Sequence, residues 1–109
     1  MPDTKVIETL KAARELISVP ERWTQGEYAR GVSARPVAVQ SRYAVCWCAK
    51  GALNRVQSNH YINFQTAIVL ERAMGSLAIG KFNDTHSHGQ VLAAFDKAIE
   101  LAEKEASHG

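Results

Sequence analysis

The residues able to do chemistry gather in two stretches, Cys46-Trp47-Cys48-Ala49-Lys50-Gly51-Ala52-Leu53 and Asn83-Asp84-Thr85-His86-Ser87-His88. They bring together thiols, imidazoles and a carboxylate. Two arrangements would put these groups to use. Zinc accepts thiolates and imidazoles, so Cys46, Cys48, His86 and His88 form one candidate ligand set. A nucleophilic cysteine needs a base and a group that orients the base. Cys46 or Cys48 with His86 and Asp84 is therefore a candidate centre for a cysteine-dependent hydrolase or transferase. The first stretch reads as the start of a helix, where exposed amides would stabilise a thiolate.

Spacing works against the metal. Zinc-binding cysteine pairs usually have about two to four residues between them, and here there is a single one, Trp47. On a helix, residues 46 and 48 would diverge by ~200° around the axis; only an extended strand would turn both to one ion. The same closeness makes them poor disulfide partners, so both are expected as free thiols. The catalytic arrangement lacks an evident rigid frame. A plainer use is available: cysteine packs as a small hydrophobe, and Ala49, Gly51 and Ala52 permit close approach of another backbone. Trp23 and Trp47 suit a core or its edge. Asn83-Asp84 would satisfy backbone amides in the turn before the last helix, and His86 would pack over Val91 from the position preceding the cap. The balance favours scaffold over catalysis, with no cofactor and no metal.

The elements that must position these residues are mostly helical. Asp3 or Thr4 can cap a first helix over about 4–18, where Val6, Ile7, Leu10, Ala13, Leu16 and Ile17 share one stripe. Pro20 stops it and pushes Val19 towards an extended conformation. Residues 20–43 are the least regular, and a short hairpin around Gly31, with 27–30 opposite Val37 and Val39, is the expected form of this arm. A second helix is expected over 44–58, with Val45, Cys48, Ala52 and Val56 at helical spacing. Gly51 inside it costs about 1 kcal/mol relative to Ala, which points to a close backbone approach. A third helix over 61–74 has Phe64, Ala67, Ile68 and Leu70 as core candidates and Gly75 as its left-handed terminus. Residues 77–84 read as a connector hinged at Gly80. Ser87-His88-Gly89-Gln90 reads as a capping box for a last helix over 87–105, where Val91, Leu92, Phe95, Ala98, Ile99 and Ala102 form a stripe centred on Phe95 and Ile99. Residues 106–109 are expected to fray.

The 109 residues suit one compact domain. Hydrophobic residues make up 46% and charged residues 22%, so nothing marks the chain as disordered. Thirteen Lys and Arg against eleven Asp and Glu leave a net charge of +2, too balanced for a nucleic-acid binder that relies on a concentrated basic face. Arg22, Arg30, Arg35, Arg42 and Arg55, with Tyr28 and Tyr43, are the nearest approach to such a face, and a solvated irregular surface accounts for them as well. No run approaches the ~18 apolar residues of a membrane span. The first residues lack a charged leader with an apolar run behind it, so a cytoplasmic location is expected.

Arg22-Trp23-Thr24-Gln25-Gly26, then Cys48-Ala49-Lys50-Gly51-Ala52-Leu53, then Phe82-Asn83-Asp84 ahead of the final apolar stripe, form a pattern along most of the chain. It resembles a family of small uncharacterised proteins from bacteria and their phages, grouped as a domain of unknown function. The resemblance implies a free-standing domain of bacterial or phage cytoplasm and brings no activity with it. His86 and His88 are not among the defining positions of that pattern.

The expected fold is thus mainly α, a four-helix single domain with a short β-hairpin or irregular arm between helices 1 and 2. The expected function is that of a small binding or adaptor protein engaging a protein partner or a small polar ligand. Its surface would be Trp23, Gln25, Tyr28 and Arg42 of the arm with Asn83 and Asp84, since irregular segments carry function disproportionately. The alternative is the cysteine-dependent enzyme.

Overall fold

The structure, a computed structural model, describes residues 4–108; the cap expected at Asp3 and the last residue, Gly109, lie outside the described residues. The first helix, α1 (Thr4–Leu16), buries Val6, Leu10 and Ala13, and Ile17 just beyond it is equally buried. Pro20 ends this segment as its ring requires. It leaves Val19 extended (φ −108°, ψ 148°) and opens a 3-10 turn over Pro20–Arg22.

The arm that follows pairs differently from the expected hairpin. Strand β1 (Ala29–Arg30) is antiparallel to β2 (Cys46–Trp47), with Ala29 opposite Trp47 and Arg30 opposite Cys46. The turn beyond Gly31 comes back to β1 in a single bridge, Arg30 to Pro36, made by Gly31 donating to the Arg35 carbonyl and Val37 to that of Ala29. Arg55 and Gln40 secure the rest of the arm. The Arg55 guanidinium donates to the carbonyls of Val39 and Ser41, both at 3.0 Å, and lies over the Trp47 ring. Gln40 Nε2 donates to the Asn54 and Arg55 carbonyls.

Helix α2 (Ala49–Val56) therefore starts five residues later than its expected beginning at Ala44. The amides of Val45 and Cys48 are already engaged by the carbonyls of Arg30 and Tyr28, so this stretch joins the sheet before it can coil. Helix α3 (His60–Ala73) is capped by Asn59, whose side chain accepts from the Ile62 amide at 3.0 Å. It closes as expected on Gly75 at φ +71°, with Gly75 donating to the Arg72 carbonyl and Ser76 to that of Glu71.

Residues 77–84 are not a connector. Ile79, Phe82 and Asn83 recur at helical spacing on α4 (Ile79–Thr85), a fifth helix among the described residues. Gly80 is no hinge, since it lies in the first turn of α4. The last helix, α5 (His88–His108), begins with the expected capping box. Gln90 N donates to Ser87 Oγ at 3.1 Å and Ser87 N to Gln90 Oε1 at 2.9 Å. It continues past residue 105 instead of fraying there.

The core lies where α1, α3 and α5 meet, with α2 against α1 and α4 against α2, α3 and α5. Phe95 and Leu70 are fully buried within it, while Ile99 sits at its edge. Phe64 and Ile68, expected inside, are 65% and 43% exposed. α3 carries apolar residues nearly all round, so its stripe could not show which face turns inward. Among the described residues, no helix is long and apolar enough to cross a membrane.

Candidate functional site

Asn83 joins the arm to the helices. It is fully buried in α4. Its Oδ1 accepts from the Trp23 indole Nε1 at 2.7 Å and from the Ala49 amide at 3.0 Å, and its Nδ2 donates to the Thr24 carbonyl at 3.0 Å. Ala49 is the first residue of α2, where amides have no intrahelical partner, so Asn83 caps α2 from a different helix. Gln25 answers from the arm, with Nε2 donating to the carbonyls of Asn83 and His86. Asp84 Oδ1 accepts from the Gly26 amide at 2.9 Å. Gly26 stands at φ +83°, a backbone conformation suited to glycine. The Trp-Thr-Gln-Gly and Asn-Asp sequences are thus two halves of one joint. Asn83-Asp84 does satisfy backbone amides, but from within a helix and not from a turn.

The thiols have local partners. Cys48 is the residue that caps α2 from its own chain direction, its Sγ accepting from the Gly51 amide at 3.3 Å. Burial pushes its thiol above the usual range; the nearby Asp84 charge adds to the rise, and the Gly51 and Lys50 amides only partly offset it. Cys48 is therefore a neutral thiol at physiological pH. Cys46, half-buried on β2, donates to the Arg30 carbonyl at 3.9 Å.

Each imidazole is tied elsewhere. His86 stacks on Phe82 with ring centroids 3.7 Å apart, and its Nδ1 donates to the Phe82 carbonyl at 2.9 Å. His88 Nε2 donates to the Ile17 carbonyl at 2.7 Å, and its ring leans on Trp23. Among the described residues, no group of three or more His, Cys, Asp or Glu side chains is placed to hold a metal ion.

Two depressions flank the joint. A cleft of about 270 Å³ is lined by Gly26, Glu27, Tyr28, Cys48, Gly80 and Asp84. Its ionisable side chains are carboxylates, a phenol and the neutral thiol; His86 lines a separate depression with Phe82 and Gln90. On the arm itself, a groove of about 380 Å³ is lined by Gly31, Val32, Ser33, Arg35, Val37 and Tyr43. The arginines and tyrosines do not make one face. Arg30 is consumed internally by Thr24, Gln25 and Ala34, and Arg55 by Val39 and Ser41. Tyr28 belongs to the cleft, while Tyr43 belongs to the groove with Arg42 over its ring.

The structure brings Trp23, Gln25, Asn83 and Asp84 together and leaves Arg42 apart from them, exposed beside Tyr43. Nothing in the sequence singles out Glu27, Gly80 or Val32 at these surfaces. Val32 owes its position to Ser33 and Ala34, which adopt φ +64° and +62° without being glycines; such a conformation carries no residue-type signal.

The model of a family of unknown function, DUF6197, matches residues 1–101 of the chain, and the protein belongs to that family. Comparison with curated proteins and with solved structures gives no match.

Proposed function

We propose that the protein is a non-catalytic binding or adaptor module of bacterial or phage origin, acting in the cytoplasm, whose 20–43 arm is the recognition surface and whose partner is a protein. One observation carries this reading: the arm is irregular, yet buried or stacked polar side chains fix it, while Tyr28, Val32 and Tyr43 stand in solvent. A core needs none of these three exposed residues. In this reading Trp23, Gln25, Asn83 and Asp84 hold the surface in shape, and Tyr28 and Arg42 touch the partner. Pre-organising a loop in this way lowers the entropy lost on association. A small polar ligand in the cleft beside Tyr28 is the lesser form of the same reading.

The cysteine-dependent alternative asks for a thiolate beside an imidazole. Cys48 is a neutral thiol, and His86 opens on a different depression. Nucleic acid is not the proposed ligand, because the basic side chains are dispersed or internally paired.

The test is a pull-down from bacterial lysate with the intact protein as bait. Tyr28→Ala, Arg42→Ala and Tyr43→Ala should each weaken capture of the specific partner, whereas Cys46→Ala and Cys48→Ser should not. Capture that survives all three arm changes, or that depends on either thiol, would overturn the reading.

A further inference from the structure

We infer that the groove on the outer side of the arm receives a short extended protein segment in which an apolar side chain is flanked by carboxylates. The inference rests on the binding reading above and names the chemistry of its partner.

The groove is apolar in its walls. Val32 is 77% exposed and Tyr43 62% exposed, and Val37, half-buried, lines the groove with them. The floor is tight: a β-carbon at Gly31 would come within 3.0 Å of the Tyr43 carbonyl oxygen and 3.3 Å of Val37 Cγ1. The floor is therefore closed by the Tyr43 backbone and Val37, with no room for a side chain at position 31. Ser33 and Ala34, both in the left-handed region, hold Val32 out, and L-residues keep that conformation only where the surroundings impose it. Here the Arg30 guanidinium grips the Ala34 carbonyl at 3.0 Å, and Gly31 donates to the Arg35 carbonyl at 2.7 Å. The turn is held in a strained form that presents a valine to water.

Charge selects the occupant. Arg35 lines the groove, and among the described residues its guanidinium has no hydrogen-bond or ion-pair partner. Arg42 lies 5.0 Å from the centre of the Tyr43 ring and donates to its hydroxyl at 2.8 Å, so its charge stands at the same rim. No lining residue is acidic. The separate cleft beside Gly26 has the opposite sign, with Glu27 and Asp84. An acidic segment is steered to the groove and repelled from the cleft. Two rim arginines beside apolar walls suit a peptide with one buried side chain, whereas nucleic acid would need a longer basic track.

The experiment uses the full chain and an array of twelve-residue peptides. Each peptide carries one Leu, Ile or Phe flanked by Asp or Glu, with Lys-flanked and Ser-flanked counterparts. A labelled single-stranded oligonucleotide and sedimentation at several protein concentrations complete it. Acidic-flanked peptides should bind at least tenfold more tightly than the Ser-flanked ones. Val32→Ser should weaken them about tenfold, and Arg35→Glu should abolish them while gaining the Lys-flanked set. Both variants change exposed side chains, and an unchanged melting temperature checks that they fold.

Acidic peptides that bind both variants as well as the wild type would overturn the inference, as would displacement by the oligonucleotide. So would self-association lost on Val32→Ser, since a second copy would then be the occupant. A silent array, with a lysate partner still captured through Tyr28, overturns the groove assignment and leaves the arm reading standing.

Discussion

The α-carbon of Gly51, in the first turn of α2, packs directly on the carbonyl of Tyr28. A β-carbon at position 51 would collide with that carbonyl oxygen and carbon. The same oxygen accepts from the Cys48 amide at 3.2 Å, so neither backbone can retreat without breaking the contact that starts α2. Gly51→Ala would normally gain about 0.5–1 kcal/mol in a helix. Here overpacking should outweigh that gain and leave the variant less stable by ~1–3 kcal/mol or more. Urea unfolding decides it; a variant as stable as the wild type would show that the arm and α2 are not in contact.

Asn83→Ala removes the acceptor for Trp23 and Ala49 and the donor to Thr24 in a single step. Each buried group left without a partner costs about 1–3 kcal/mol. The loss should exceed that of any exposed substitution on α4. It should also release the arm while the other helices persist. Amide exchange would read this as faster exchange at Thr24, Gly26 and Ala49, with protection retained in α1 and α5. Unchanged exchange at those amides would contradict the joint.

How far the sequence reveals such features depends on range. The cap at Ser87 and the stop at Gly75 were legible, because each is a local rule acting over three to five residues. Gly51 pointed correctly to a close backbone approach, although the approaching strand is the arm and not another helix. The start of α2 was not legible. Val45 and Cys48 fit helical spacing, and only the pairing of Cys46 with Arg30 and of Trp47 with Ala29, far back along the chain, shows why this stretch is extended. The meeting of Trp23 with Asn83 spans 60 residues, and no periodicity encodes such a contact. At the candidate surfaces, Arg35 and Tyr43 were visible as basic and aromatic residues, while Val32 was hidden by a turn built from ordinary residues.

Cys48 should leave a mark on the pH dependence of stability. Its thiol is raised in the folded protein by burial, with Asp84 adding to the effect. The unfolded chain therefore ionises this group first. The stabilisation is complete below the ordinary thiol value of about 8.5 and is lost as pH rises through the higher folded value. The wild-type urea midpoint should thus fall on the alkaline side relative to Cys48→Ser, which keeps a good capping oxygen for Gly51. Parallel alkaline limbs for the two proteins would remove the assignment. Alkylation of Cys48 at neutral pH should correspondingly be slow, since the thiolate is the reacting form.

Phe95 and Phe64 test the packing of α5 against α3. Phe95 is fully buried, whereas Phe64 is 65% exposed on the side of α3 turned from the core. Phe95→Ala should cost ~3–5 kcal/mol, the removed contacts and the remaining cavity both contributing. Phe64→Ala leaves no cavity, and a surface change of this kind usually stays within about 0.5 kcal/mol. The sequence alone assigned both rings to the interior, so the difference in unfolding free energy between the two variants reads directly which face of α3 is inward. Equal losses would mean that α3 is rotated about its axis relative to the arrangement described, with Phe64 and Ile68 taking the places of Ala67 and Leu70.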